Sequence, residues 1–134
     1  MKLIQAQYYA VAAMVQIAAN QSKEPLSAKA ICESVSLPLS FLQQLLRELT
    51  TAGLVESTRG MHGGFKLARP ANRITLFDIV DAVKGGLKSE PVEVVGLSNG
   101  ATKAVQRAFD AIDASIRKEF GAITLSSLRA AKAA

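Results

Sequence analysis

The sequence predicts a mainly α-helical fold with one small β-hairpin, arranged as a winged helix-turn-helix followed by a long C-terminal dimerisation helix. Apolar residues at helical spacing run up to Gly53, and a basic segment with paired glycines, residues 59–69, follows directly. A second long apolar stripe at helical spacing occupies residues 101–123. Helix, turn, helix and basic hairpin in this order indicate a winged helix, so DNA is the first partner to consider.

The first segment, residues 3–22, carries no charge but is predicted to be a half-buried helix rather than a membrane or secretory segment. Glutamine and asparagine side chains interrupt it, and its apolar residues recur at helical spacing. The predicted buried face consists of Leu3, Ile4, Tyr8, Val11, Met14, Val15 and Ala18. We therefore expect no membrane partner.

The next two predicted helices form the helix-turn-helix. Ser27 is a candidate N-cap of the second helix, and Pro38 lies where the third helix, residues 39–52, begins. One face of the third helix is apolar, and the other offers hydroxyl, amide and cationic groups suited to base edges and phosphates in the major groove. The candidate recognition residues are Ser40, Gln43, Gln44 and Arg47. The alternative at this point is an ordinary solvated helix face.

The hairpin, or wing, is predicted from strands at residues 55–58 and 65–68. Gly60, Gly63 and Gly64 are expected at its tip and bend, because glycine accepts backbone angles that other residues resist. A wing of this kind reaches the minor groove or the phosphates beside the recognition helix. Its candidate DNA contacts are Arg59, Gly60, His62 and Lys66.

Composition and charge agree with a protein that approaches phosphates. A chain of 134 residues with 49% hydrophobic content can bury one sizeable core, and its formal net charge is +5. Basic residues outnumber acidic ones by eight to four in residues 1–75, where the winged helix is predicted. A merely solvated basic face would carry the same charge, so the charge alone does not identify the partner.

The segments after the wing predict one short helix and one long one. Thr75 and Asp78 have the spacing of a capping box at the start of a helix that ends before Gly85. A single domain has little need for a projecting apolar helix at residues 101–120, so its stripe is predicted to pair with a second copy, although packing on its own domain is the alternative. The candidate dimer interface is Val105, Phe109, Ile112, Ile116 and Phe120.

Three domain segments follow from this assignment. Residues 1–84 form the DNA-binding domain, residues 85–100 a connecting loop, and residues 101–134 the dimerisation helix and tail. No catalytic or metal-binding set is expected. Cys32 is the single cysteine and is interpreted as a small core residue, and one histidine, His62, does not make a metal site. Ser40 has neither a histidine on its helix nor a nucleophile-elbow sequence around it.

The chain resembles the Rrf family of bacterial transcription regulators, which are winged-helix homodimers. The resemblance covers nearly the whole chain in the family's order, and the wing together with the I-T-L-F-D-I-V segment is its most specific part. The matching stretches are M-K-L at Met1 with Tyr9 and Ala10, L-S-A-K-A-I from Leu26, residues 37–55, S-T-R-G-M-H-G-G-F-K-L-A-R from Ser57, residues 74–85, and I-T-L-S-S-L from Ile123.

Two departures from the family bear on mechanism. Members that sense iron or nitric oxide hold an iron–sulfur cluster through three cysteines in the loop after the fourth helix, and residues 84–104 contain no cysteine. The S-E-P-V-E-V stretch at Ser89 instead resembles the cluster-free branch typified by a cysteine-metabolism repressor. The family's basic residues before the tyrosine of the first helix are replaced by Ala6, Gln7 and Tyr8. We therefore expect no cofactor and weaker phosphate contacts from the first helix.

The resulting hypothesis is a cytoplasmic, homodimeric repressor that binds palindromic double-stranded DNA and responds to a small-molecule or protein effector. Two alternatives stay open from the sequence. One is a winged-helix protein-interaction module that no longer binds DNA, whose polar recognition surface a partner would cover. The other is a redox regulator whose cluster has ligands other than cysteine, which visible absorbance would distinguish.

Overall fold

A computed structural model of the chain describes residues 5–20, 22, 24–83 and 95–132, with side chains up to residue 129. It is mainly helical, with one two-stranded antiparallel hairpin, which confirms the predicted fold class. The elements in chain order are α1 (Gln5–Ala19), α2 (Ala28–Val35), α3 (Leu39–Thr51), β1 (Val55–Thr58), β2 (Gly64–Leu67), a 3-10 turn (Ala71–Arg73), α4 (Leu76–Ala82), α5 (Asn99–Gly121) and α6 (Leu125–Lys132).

The face that α1 buries differs from the predicted one. Tyr8 is 64% exposed, whereas the alanines and Met14 lie in the core. Small side chains let α1 approach α2, α4 and α6, each of which packs against it. Gln7 is also buried, and its amide donates to the Val80 carbonyl at 3.4 Å. The expectation for Leu3 and Ile4 lies outside the described residues.

The helix-turn-helix forms as predicted. The Ser27 hydroxyl caps α2 by accepting from the Ala30 N–H at 3.1 Å, and Ser36 turns the chain with a left-handed φ of 53°. Pro38 then occupies the N-cap position of α3. The apolar face of α3 packs into the core through four leucines that are at most 1% exposed: Leu42, Leu45, Leu46 and Leu49.

The wing is the predicted hairpin, with its second strand beginning one residue earlier than expected. Gly60 has a φ of 109°, which favours glycine at the tip. Gly64 has a different role from the predicted one, because its backbone angle is ordinary and a Cβ there would lie 2.5 Å from the Leu26 carbonyl oxygen. The close approach lets Leu26 and Phe65 exchange two backbone hydrogen bonds of 2.9 and 2.8 Å, which form an isolated β-bridge beside the hairpin.

The C-terminal part of the chain returns to the winged-helix body. Thr75 and Asp78 form the predicted capping box of α4. Beside that cap, the Leu76 N–H donates to the Ile123 carbonyl and the Leu125 N–H to the Ile74 carbonyl, both at 2.8 Å. Leu125 is fully buried, and α6 packs against α1. Ile123 therefore lies beyond the end of α5, which is Gly121. Of the predicted connecting loop, residues 85–94 lie outside the described residues.

Candidate nucleic-acid interface

The outward face of α3 carries the four candidate recognition residues. Ser40, Gln43 and Arg47 are exposed, while Gln44 is half-buried. Pro38 and the four buried leucines fix the helix from behind, so these side chains have a defined direction. Such a face can present one hydroxyl, two amides and one guanidinium to a DNA groove.

Two of these residues are linked to each other. Arg47 Nη1 donates to Gln44 Oε1 at 2.9 Å, and Gln44 Nε2 is 3.5 Å from Glu48 Oε1. The other Glu48 carboxylate oxygen is buried and has no hydrogen-bond partner. Glu48 was not predicted to have a role, although its spacing of four residues from Gln44 on the same helix was the available signal. The Gln44 amide therefore orients Arg47.

The wing presents its tip to solvent beside this face. Arg59, Gly60 and His62 are all exposed. His62 Nδ1 lies 3.9 Å from Glu24 Oε1, and the side chains of both residues are largely solvated. Met61, which was not among the predicted DNA contacts, is 95% exposed at the tip. Since a methionine can insert as an apolar wedge into a minor groove, it belongs among the candidate DNA contacts.

Backbone hydrogen bonds hold the wing in a fixed relation to α3. The Leu54 N–H donates to the Leu49 carbonyl and the Ala68 N–H to the Leu54 carbonyl, both at 3.0 Å. Lys66 lies on β2 opposite Glu56 on β1 and is exposed. These backbone hydrogen bonds join the end of α3 to the hairpin, so helix and wing form one continuous surface.

The candidate dimer stripe on α5 divides into two parts. Val105, Phe109 and Ile112 are 46%, 54% and 52% exposed, whereas Ile116 and Phe120 are half-buried. The Arg117 guanidinium also lies 5.1 Å from the ring centroid of Phe77 on α4, which anchors this end of α5. All 23 residues of α5 are described, and none of them is buried in the single chain.

An apolar groove of about 400 Å³ continues the stripe onto the body. Phe120 belongs to both the stripe and the groove, and the exposed ring of Tyr8 lines the groove from α1. The other apolar lining residues are Val11, Ala12, Leu76, Val80, Ile123 and Leu128. A surface of this kind extends the candidate dimer interface beyond the five predicted residues.

The residues present do not fit an iron–sulfur cluster. Cys32 is the single thiol of the chain, and it lies half-buried on α2 against the core. Residues 84–94 supply neither cysteine nor histidine. Within the part of the chain that the structure describes, no three histidine, cysteine, aspartate or glutamate side chains are grouped so that they could hold a metal ion. Since such clusters need several thiolate ligands, the donor set is insufficient.

No described helix has the length and apolar character needed to cross a membrane.

Comparison with known proteins places these features in a family. The profile of Rrf2, described as an iron-dependent transcriptional regulator, matches residues 4–131. A Neisseria meningitidis protein described as an HTH-type transcriptional regulator is 34% identical over 121 residues, covering 90% of this chain and 82% of that protein.

Two solved structures have the same fold. CymR, the global cysteine regulator of B. subtilis, superposes with a TM-score of 0.77 at 28% identity, covering 97% of both chains. IscR of T. potens superposes with a TM-score of 0.73 at 34% identity, covering 96% of this chain and 85% of that one.

Proposed function

This chain belongs to the Rrf2 family of transcriptional regulators, and from that premise we propose that it is a homodimeric DNA-binding repressor that works without an iron–sulfur cluster. The family and the relatives above are transcriptional regulators rather than enzymes, and regulators of this family bind DNA and act as dimers. The helix-turn-helix and its wing have the corresponding fold.

The observation that carries the DNA-binding proposal is the joined surface of α3 and the wing. Ser40, Gln43 and Arg47 project from a helix whose opposite face is buried, and Arg59 projects from the hairpin that follows it. In this proposal α3 enters the major groove, while the wing, with Arg59, Gly60, His62 and Lys66, contacts the minor groove or phosphates.

Within α3 we assign different tasks to the linked residues. Arg47 has donors suited to the O6 and N7 atoms of a guanine, and Gln44 holds its guanidinium from one side. Because the Gln44 amide also approaches Glu48, a bidentate contact of Gln44 with adenine would require both neighbours to be released. Gln44 therefore acts on base preference mainly through Arg47.

The dimer proposal rests on the uncovered apolar surface of α5 and the adjoining groove. Val105, Phe109 and Ile112 would meet the same residues of a second copy about a two-fold axis, since a symmetric interface is self-complementary. The half-buried Ile116 and Phe120 continue that interface toward the groove. Two winged helices held in this way suit a palindromic operator, because the protein and DNA symmetries then coincide.

Repression in this proposal requires no iron–sulfur cluster and no surface other than the DNA-binding surface and the dimer interface. A dimer that occupies promoter DNA can exclude polymerase, which is sufficient for repression. Its site of action would be the cytoplasm, where genomic DNA lies in a bacterium. An effector, a small molecule or a protein partner, would act by preferring one spacing of the two winged helices over another.

The test is selection of DNA fragments from a genomic pool by the purified protein. We expect enrichment of fragments that share an inverted repeat, and unchanged affinity for them after anaerobic purification and treatment with a chelator. An enriched sequence placed at a reporter promoter should lower expression when the protein is present. Absence of enrichment, with capture of a protein partner on α3 instead, would favour the interaction-module alternative. Loss of affinity on chelation that iron and sulfide restore would contradict the cluster-free proposal.

A further inference from the structure

We propose that a groove on the flank of the wing, here called the basic groove, binds a small organic anion, and that the bound anion weakens DNA binding. The basic groove has a volume of about 730 Å³ and lies between the end of α1, the segment after β2, and α6. That volume falls within the usual range for small-molecule sites. The anion site itself depends only on this geometry, whereas its effect on DNA rests on the proposed function.

Three cationic side chains from three parts of the fold line the basic groove. Lys66 comes from β2, Arg69 from the loop after it, and Arg129 from α6. Among the described lining residues the one carboxylate is Glu24, whose Oε1 lies 3.9 Å from His62 Nδ1. Positive charges that converge in a concave site raise the local concentration of anions, because the potential is focused between low-dielectric walls.

Arg69 is already held in position. Its Nη2 lies 3.6 Å from Asp78 Oδ2, and that carboxylate oxygen also accepts the Thr75 N–H at 2.9 Å in the α4 cap. Such an arrangement reduces the conformational freedom that the guanidinium would lose on binding a ligand. Since a guanidinium has five N–H donors, Arg69 can contact Asp78 and an incoming carboxylate or phosphate at the same time.

The floor of the basic groove indicates an organic anion rather than a DNA backbone. Ile17, Ala18 and Ala71 line it and are 4%, 7% and 7% exposed, so their apolar atoms form a closed base. A duplex backbone presents a convex charged ridge, which gains little from an apolar base. A ligand with a short carbon body and two or more carboxylate or phosphate groups would contact the floor and the cations together.

The location of the basic groove also indicates how a bound anion would affect DNA binding. Lys66 belongs to the wing and is a proposed DNA contact, whereas Arg129 follows the buried Leu125 on α6. An anion between them would occupy the Lys66 ammonium and tie the wing to the segment that follows α5. Binding of the anion and of DNA would then oppose each other, and thermodynamic linkage requires the effect to be reciprocal.

The anion site is tested by calorimetry without DNA, using citrate, succinate and inorganic phosphate as probes at fixed ionic strength. We expect at least one probe to bind once per chain with a Kd below about 1 mM. Arg129→Gln should weaken that binding by about 10-fold or more, since it removes one charged contact. Arg107→Gln removes the same charge from an exposed position on α5 and serves as the matched control.

Two calorimetric results would overturn the site: no saturable binding of any probe, or equal weakening by Arg129→Gln and Arg107→Gln. The second arm measures affinity for a selected DNA fragment. The bound probe should raise the Kd for DNA in the native chain but not in Arg129→Gln. If Arg129→Gln by itself weakens DNA binding and lowers its salt dependence, the basic groove is a DNA contact and the proposal fails. A chain that binds the probe but no DNA would contradict only the proposed function.

Discussion

The recognition helix α3 and the long helix α5 have the same apolar spacing but different surroundings. In α3, Leu42 and Leu46 are fully buried within the chain. In α5, Phe109 and Ile112 are 54% and 52% exposed. Apolar residues every three or four positions therefore specify a helix and one of its faces, but not what covers that face. The chain covers the apolar face of α3 by itself, whereas it leaves the apolar stripe of α5 exposed.

The difference in burial gives the two helices different sources of stability. Burial of one leucine side chain contributes about 1.5–3 kcal/mol, so the leucines of α3 hold that helix to the core. Helix α5 spans 23 residues and has no buried residue, so in a single chain it depends on its own hydrogen bonds and on the contacts of its C-terminal end with α4. Most helical stability in proteins comes from packing of an amphipathic face, and the apolar stripe of α5 has little such packing within the chain.

The largest expected effect is on the covered helix. Leu46→Ala should lower the free energy of unfolding by about 2–5 kcal/mol, because it leaves a cavity in the core. Denaturant unfolding at one fixed protein concentration measures the change. Leu39→Ala is the control at the exposed start of α3 and should cost less than about 1 kcal/mol. Equal losses in the two variants would show that α3 is not held by burial of its apolar face.

The uncovered helix should respond in assembly rather than in folding. The double substitution Phe109→Glu and Ile112→Glu places unpaired charges in the proposed dimer interface, which should weaken dimerisation by about 100-fold or more. Sedimentation velocity over a range of concentrations gives the dissociation constant. Lys103→Glu changes the formal charge by the same amount on another face of α5 and should leave the dimer intact. An undisturbed dimer in the double variant would remove α5 from the interface.

The DNA surface offers a smaller and more selective effect. Arg59→Ala should weaken binding to all sequences alike and reduce the slope of log affinity against log salt by about 1, because one phosphate contact is lost. Gln44→Ala should instead alter the ranking of DNA sites, since Arg47 then loses its 2.9 Å partner. Competition assays at several salt concentrations distinguish the two patterns. A change of site ranking in the Arg59 variant would contradict a phosphate contact.

The smallest expected effect compares two helix caps. Thr75→Ala removes the cap of α4 and should lower the unfolding free energy of the body by about 1 kcal/mol. Ser98→Ala removes the corresponding cap of α5, whose hydroxyl accepts the Ala101 N–H at 3.1 Å. That loss should weaken hydrogen-exchange protection in the first turn of α5 and leave the body unchanged. If both substitutions lowered the unfolding free energy of the body equally, α5 would be as stably folded as α4.

Local rules predicted much of the fold from the sequence. The Ser27 and Thr75 caps, Pro38 and the leucines of α3 each act through neighbours a few residues away, so their patterns are visible in the chain. The buried face of α1 was predicted wrongly at Tyr8, because the prediction followed the large apolar side chains. The face that packs in the core is instead made mostly of alanines, whose small side chains give a weak apolar pattern.

Contacts between distant residues could not be predicted in this way. The close approach of Gly64 to Leu26 and the pairing of Thr75 with Thr124 depend on tertiary placement that no spacing rule encodes. The same holds for the basic groove, whose cations Lys66, Arg69 and Arg129 meet only in the folded chain. For the DNA surface, the candidate residues followed from the helix-turn-helix and wing pattern, whereas their links through Gln44 and Glu48 required side-chain geometry.

The most direct test of the account is the number of chains on one selected DNA duplex, measured by sedimentation of the complex with the native chain and with the Phe109→Glu, Ile112→Glu double variant. We predict two native chains on each inverted repeat, and a folded double variant that loses most of its affinity because each half-site then binds independently. A single native chain per duplex, or a monomeric double variant that binds with native affinity, would contradict the proposal that α5 pairs with a second copy of the chain.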